Sequence, residues 1–309
     1  QAAKNQAKKF GRRDPDHEFG TNPCSEIILR PYQFCNLTEV VVRATDDLKE
    51  LERKIKIATI LGTIQSTYTK FPYLRKVWTT NTEEERLLGV SLTGIMDNPL
   101  MTLQNKGLQK MLEHLRTVAV STNKEWAERL DIPASAAILC VKPSGTVSQL
   151  VDSASGIHAR HSPYYIRTVR GDNKDPLTQF MMDQGIPNEP CVMKPDSTVV
   201  FSFPIKSPDR AVTRNDMTAI EQLNMWLMYQ RHFCEHKPSV TISVRDAEWM
   251  AVGAFVYENF DEMSGVSFLP HSEHTYQQAP YQDVDEDTYD TLLNQMPATI
   301  DWAKLSDYE

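Results

Sequence analysis

Two hydrophobic periods alternate along this chain, and that alternation limits the folds open to it more than any other feature. Runs rich in β-branched residues lie at 35–43, 86–97, 137–141, 197–205, 239–244 and 265–269, and read as strands. Between most of them the apolar residues repeat at helical spacing. Thr45, Asp46 and Asp47 open one such helix, which carries Leu48, Leu51, Ile55, Ala58 and Leu61. Leu108, Met111, Leu112, Leu115, Ala119, Thr122 and Trp126 mark a second. A third carries Met217, Ile220, Leu223, Trp226, Leu227 and Phe233, and a fourth covers about 246–259. Connections of this length bring strands together in parallel, so the pattern predicts an α/β fold built on a largely parallel sheet or barrel. The first 20 residues hold few apolar positions and read as an irregular lead-in. With no internal repeat or clear linker, 1–309 is taken as a single unit.

Composition excludes several classes. The 309 residues include 40% hydrophobic and 24% charged side chains, unlike a disordered or collagen-like chain. No run approaches the roughly 18 apolar residues of a membrane span. A net charge of −8 argues against a general nucleic-acid coat but allows a local pocket for phosphate. The chain opens at Gln1 with neither Met nor a secretory segment, and the expectation is a piece of something longer.

The five cysteines are too few and too uneven for a secreted disulfide framework, and none forms a CxxC pair. A reducing, cytoplasmic location follows as the expectation. Cys140, Cys191 and Cys234 lie in apolar or helical surroundings and read as packing thiols, whereas Cys24 and Cys35 lie in polar, turn-like ones. In Asn22-Pro23-Cys24-Ser25-Glu26 an extended backbone would turn Asn22, Cys24 and Glu26 to one side. A carboxylate beside a thiol raises the thiol pKa, which is wrong for a thiolate nucleophile. It suits hydrogen-atom transfer by a neutral sulfur next to a general base. The competing reading is a polar turn with an incidental cysteine.

Lys142-Pro143-Ser144-Gly145-Thr146-Val147-Ser148 follows a strand and offers hydroxyls and a glycine for an anion. It lacks the glycine spacing and lysine of a Walker A loop, and a capped helix start without ligand competes with the anion reading. The stretch 156–170 concentrates His158, Arg160, His161, Arg167 and Arg170 with Tyr164 and Tyr165. It suits a phosphate or a large anionic cofactor, or is a solvated basic loop followed by an edge strand. The pairs His232/His236 and His271/His274 lack a third ligand at familiar spacing, so no metal site is assigned.

Together the segments NPCSEI (22–27), FCNL (34–37), RLLGVSLTGIMD (86–97), KPSGTVS (142–148), GIHARHSPYYIRTVR (156–170), PSVTISV (238–244) and YQQAP (276–280) resemble the large, catalytic subunit of ribonucleotide reductases. The likeness is greatest to the adenosylcobalamin-dependent class II, monomeric type, and to its C-terminal portion. That resemblance implies a ten-stranded α/β barrel of two five-stranded halves, with this chain supplying the central finger loop and the second half. It makes Cys24 the thiyl radical that removes the substrate 3′ hydrogen, Glu26 the base on the 3′-hydroxyl, and Asn22 a partner for the sugar hydroxyls. Cys35 becomes one of the two thiols that reduce the 2′ position. Ser144, Gly145, Thr146 and Ser148 become the cradle for the phosphates of a ribonucleoside di- or triphosphate. The cofactor implied is adenosylcobalamin, whose cobalt is the only metal, and His158 and Arg160 are assigned to it from location.

The short interval between Cys24 and Cys35, and Gly145, look more like class II than class I. None of Cys140, Cys191 or Cys234 matches the family's second reducing cysteine, and 299–309 holds no cysteine pair for re-reduction. The expectation is therefore a chain that turns over only with an N-terminal half and an external thiol reductant, without direct nucleic-acid or membrane partners. A class I large-subunit fragment and a non-catalytic nucleotide-binding or assembly fragment are the rival readings.

Overall fold

In the computed structural model, residues 1–271 and 276–308 are described. In chain order the chain forms α1 (Ala2–Lys9), β1 (Gly20–Thr21), β2 (Ile28–Leu29), β3 (Asn36–Val41), α2 (Leu48–Gln65), α3 (Lys76–Glu85) and β4 (Leu88–Thr93). There follow α4 (Leu108–Arg129), α5 (Val147–Leu150), β5 (Tyr164–Asp172), α6 (Pro176–Asp183), β6 (Asn188–Pro190) and β7 (Thr198–Lys206). The last are α7 (Ala219–His232), β8 (Val240–Val244), α8 (Trp249–Glu258), β9 (Val266–Pro270), β10 (Tyr281–Asp283) and α9 (Glu286–Gln295). Where the sequence reading took one unit, the described residues pack as two compact groups: 1–160 with 210–271, and 161–209 with 276–308. No helix among the described residues is long and apolar enough to cross a membrane.

The first unit holds the parallel strands. β3 runs parallel to β4 from Asn36↔Leu88 to Val41↔Thr93, and β8 parallel to β9 from Val240↔Val266 to Val244↔Pro270. The expected strand at 137–141 forms no ladder of its own. It makes single parallel bridges on both sides, Val90↔Leu139 and Val141↔Pro238. Val90 N–H donates to Ile138 O at 2.8 Å and Ser239 N–H to Val141 O at 2.9 Å, so it joins the two ladders.

Because side chains alternate across a strand, one set of residues faces the helices. Val40 and Val42, Leu88, Val90 and Leu92, and Val240, Ile242 and Val244 form one core with Leu51 and Ile55 of α2, Leu112 and Leu115 of α4, and Leu223 and Trp226 of α7. Asp47 caps α2 by accepting from Glu50 N–H at 2.8 Å, and Thr218 with Glu221 forms a capping box at α7. The buried stripe of α2 turns away from its expected end: Leu61 is 57% exposed, whereas Gly62 and Thr63 are buried. A Cβ at Gly62 would stand 3.4 Å from Leu88, at ordinary contact distance, so helix and strand already pack closely at this point.

Four helices were not anticipated, α6 and α9 in the second unit and α1 and α3 in the first. α1 replaces the irregular lead-in, and its buried residues are Gln6 and Ala7, with Gln6 Nε2 donating to Cys234 O at 2.7 Å. α3 buries Thr82 and Glu85. Neither has an apolar stripe, so neither shows a helical hydrophobic period.

The second unit is antiparallel, in the order β10-β5-β7-β6. β5 is therefore an interior strand, not the edge strand that one reading of 156–170 expected. Ile186, Val199 and Phe201 form its small core, and Phe180 is fully buried against Trp302 and Tyr308 at centroid distances of 5.4 and 5.7 Å.

Candidate active site

The segment bearing Cys24 is the tip of a hairpin whose arms, β1 and β2, pair Gly20↔Leu29 and Thr21↔Ile28. The tip is a turn, not an extended strand: Ser25 N–H donates to Asn22 O at 2.9 Å, and Ser25 takes φ 63°. The alternation argument for Asn22, Cys24 and Glu26 therefore does not apply. Asn22 Oδ1 accepts from Ile27 N–H at 3.0 Å inside the hairpin, Cys24 is exposed, and Glu26 is 2% exposed. Glu26 Oε2 has no hydrogen-bond partner among the described residues, a costly state for a buried carboxylate oxygen unless a ligand group meets it.

Polar contacts hold this hairpin against the strands. Lys237 N–H donates to Glu26 O at 3.0 Å, and Ile28 N–H to His236 Nδ1 at 3.3 Å. With Nδ1 accepting, Nε2 carries the proton and donates to Leu88 O at 2.9 Å, so the neutral ring ties the hairpin to β4. Burial drives the His236 pKa down to about 3. Arg13 adds a bidentate pair to Glu85 at 2.7 and 2.8 Å and donates to Ile28 O at 2.8 Å, and Gln33 bonds the same carboxylate. Burial alone would raise the Glu85 pKa, but these bonds and the Arg13 charge hold it below its ordinary value. Lys237 is 2% exposed with no side-chain partner among the described residues, and burial lowers its pKa to about 8.

Cys35 enters the same neighbourhood. A Cβ at Gly89 would overlap Leu37 Cδ2 and lie 3.0 Å from Ile27 Cδ1 of the hairpin, so glycine makes room for these two side chains, with Cys35 Sγ beside them at 3.4 Å from the same point. Burial pushes the Cys35 thiol well up; Arg13 opposes this, the Glu26 carboxylate adds to it, and Lys142 opposes it again. The sulfur is therefore held neutral beside an acid, the state the sequence reading associated with Cys24.

The loop 142–148 splits its expected ligands. Ser144 is buried at φ 53°, and Ser148 is fully buried with Oγ unpartnered among the described residues. Gly145 and Thr146 are exposed, and nothing lies within 4 Å of where a Gly145 Cβ would stand. Ser144 Oγ donates to Glu39, and Lys142 N–H donates to Ser91 Oγ at 2.9 Å. The helix that follows, α5, has only four residues.

His158 and Arg160 do not fit a cofactor contact. His158 Nδ1 donates to Ser155 O at 2.8 Å and Nε2 accepts from Thr241 N–H at 3.0 Å, using both ring nitrogens. Arg160, 4% exposed, forms a bidentate pair with Asp97 at 2.8 and 2.9 Å and reaches Asp152 at 3.0 Å. The other basic residues of the stretch belong to the second unit, where His161 pairs with Asp283 at 2.9 Å and Arg167 covers the Tyr281 ring at 4.4 Å. His232 bonds Glu113 at 2.8 Å, and His274 lies outside the described residues.

The sequence reading missed Glu39, His236 and the Arg13–Glu85 pair. Glu39 had a legible signal, since a carboxylate in the middle of a β-branched strand shares the side of the pleat that carries Cys35. Arg13 and Glu85 had none, because a pairing across 72 positions leaves no local period.

No family model matches the chain. It is 30% identical over 302 residues to a probable adenosylcobalamin-dependent ribonucleoside-triphosphate reductase of Dictyostelium discoideum, covering 93% of this chain and 38% of that protein. The enzyme of the same type from Euglena gracilis is 27% identical over 289 residues, covering 91% and 38%. The chain thus spans about two fifths of the length of these relatives. Its fold matches a crystal structure of a B-12 dependent (class II) ribonucleotide reductase with a TM-score of 0.81, at 24% identity over 94% of this chain and 44% of that one. The alpha subunit of the Actinobacillus ureae class Id ribonucleotide reductase gives a TM-score of 0.59 at 13% identity, over 87% of this chain and 57% of that one. Over nine tenths of its length, then, this chain is similar in sequence to the adenosylcobalamin-dependent ribonucleotide reductases, the group its motifs resemble.

Proposed function

We propose that this chain is the part of an adenosylcobalamin-dependent ribonucleotide reductase that carries the radical cysteine, one reducing thiol and the phosphate loop. One observation carries the reading: the hairpin bearing Cys24 and the buried Glu26, whose Oε2 is unpartnered among the described residues, lies against the strands that hold a neutral Cys35. Cys24, as a thiyl radical, takes the 3′ hydrogen atom and returns it to C3′ after the 2′ position is reduced, and its exposure at the hairpin tip leaves it open to a substrate. Glu26 accepts the proton of the 3′-hydroxyl through Oε2. Asn22, whose Oδ1 is engaged within the hairpin, donates from its amide NH2 to a sugar hydroxyl. Cys35 and a second thiol supply two electrons and two protons, so that the 2′-hydroxyl leaves as water and a disulfide remains. Ser144, Gly145, Thr146 and Ser148 receive the phosphates.

The cofactor is proposed from the relatives' names and would supply the first radical. His158 and Arg160 are engaged elsewhere, so no residue of this chain is assigned to it. The five parallel segments support the half-barrel reading, with both compact units belonging to one catalytic domain. Cys140 is fully buried, so the second thiol is placed in the polypeptide that corresponds to the rest of the relatives' length. Five free cysteines support a reducing, cytoplasmic setting. An external thiol then reduces the disulfide.

Cys24→Ser, assayed together with that remaining polypeptide and adenosylcobalamin, is expected to lose all detectable deoxynucleotide formation while nucleotide affinity stays within about twofold. Deoxynucleotide formation by the variant at the wild-type rate would reject the assignment and leave the non-catalytic nucleotide-binding reading.

A further inference from the structure

The loop read above as a phosphate cradle already holds an anion, and that anion belongs to the protein. Glu39 sits in the middle of β3 with its side chain half-buried. Its Oε1 accepts from Ser144 Oγ and from Ser91 Oγ, the latter at 3.3 Å. Ser91 is the register partner of Glu39 on β4, and its Oγ also accepts Lys142 N–H. Two hydroxyl donors beside an ammonium are the groups that would meet a phosphate oxygen.

We propose that Glu39 holds the hydroxyl donors that a nucleotide's phosphate takes over, and that phosphate binding is linked to the uptake of one proton by Glu39. This rests on the reading of 142–148 as the phosphate loop. An ionised carboxylate and a phosphate side by side repel each other. A protonated carboxyl changes from acceptor to donor, releases both serines and itself donates to a phosphate oxygen.

The surroundings favour that change. Burial raises the Glu39 pKa; Ser144, Lys142 and Ser91 oppose the rise, and the Glu26 carboxylate adds to it. The other charged groups lining the cavity beside Glu39 are Arg43, Arg53 and Lys54, on the strand's end and on α2. Each is engaged elsewhere: Arg43 on Val151 O and Asp152 O, Arg53 on Glu50, and Lys54 on Asp46. Lys142 and Glu26 are therefore the charges that set the titration.

The test is calorimetric titration of the full chain with inorganic tripolyphosphate and with GTP, from pH 5.5 to 8.5, in two buffers of different ionisation heat. Wild type is expected to take up close to one proton more than Glu39→Gln at pH 7.5. Glu39→Gln, whose amide imitates the protonated acid, is expected to bind about tenfold tighter at pH 7.5 and to show a flatter pH profile. Glu39→Asp keeps the charge and is expected to keep the proton uptake. Equal affinity and equal proton uptake in wild type and Glu39→Gln would overturn the inference while leaving the phosphate loop intact. Binding of neither probe by any of the three proteins would overturn the loop reading, and this inference with it.

Discussion

The parallel strands of the first unit are covered on one side by helices and on the other by the Cys24 hairpin, and the two coverings are held by different physics. Under α2, α4 and α7 the contact is apolar: Leu92, Val90, Ile242 and Leu115 have no measurable exposure. Under the hairpin Ile27 and Ile28 are buried too, but directed polar contacts are added to them, Arg13 with Glu85 and Ile28 O, and His236 between Ile28 N and Leu88 O. Apolar packing is non-directional and tolerates small shifts, whereas bidentate and ring-mediated bonds fix a segment's position. The side that carries the candidate chemistry is the side fixed by direction. Burial of Ile27 and Ile28 anchors one arm of the hairpin, and the tip keeps Cys24 exposed.

That contrast can be broken from either side. Arg13→Ala leaves Glu85 as an unpaired buried carboxylate, and should cost about 3–5 kcal/mol by urea unfolding. Replacing both partners, Arg13→Met with Glu85→Leu, should recover most of that loss. If the single change costs no more than the double, the ion pair does not hold the hairpin. On the helix side, Leu92→Ala should cost about 2–5 kcal/mol by the same measurement, the range for a buried leucine whose cavity only partly closes.

pH separates the two sides next. His236 is neutral in the fold with a pKa of about 3, against 6.5 for the free ring, so the unfolded chain binds the extra proton between those values. Its contribution is complete above pH 6.5 and is lost as pH falls towards 3, by about 1.4 kcal/mol per pH unit. Between pH 7 and 5 wild type should therefore lose about 2 kcal/mol from this group. His236→Asn should flatten that part of the profile, and an unchanged slope would remove the ring from the account. The smallest effect belongs to the end of a covering helix: Asp47→Ala, which removes the cap of α2, should lower stability by about 1 kcal/mol in thermal unfolding.

The same contrast explains what could be read from the sequence. β3, β4, α2, α4 and α7 were legible because each buries apolar residues at the period of its own geometry. α1 and α3 were not, because they dock through Gln6 and Glu85, which leave no hydrophobic period. The antiparallel second unit was read as part of the alternation, because nothing within Thr198–Lys206 distinguishes a strand that pairs antiparallel from one that pairs parallel. At the site, Cys24, Glu26 and Ser144 were legible as residue types at a spacing. Their orientations were not, since these depend on Ser25 and Ser144 adopting positive φ and on partners as distant as Lys237.

The parallel order also sets how the first unit must come together in time. Its contacts Asn36↔Leu88, Val90↔Leu139, Val141↔Pro238 and Val240↔Val266 each join positions far apart in the chain. Every one closes a long loop before it gains a single rung, and the entropy of closure grows with the span. The crossover from β8 to β9 is the shortest and closes at least cost, whereas the bridge from Val141 to Pro238 closes over the longest stretch, which includes residues 161–209 of the second unit. Topology of this kind folds slowly, so β3, which carries Glu39 and follows Cys35, meets β4 late, after the helices beside them have had time to form.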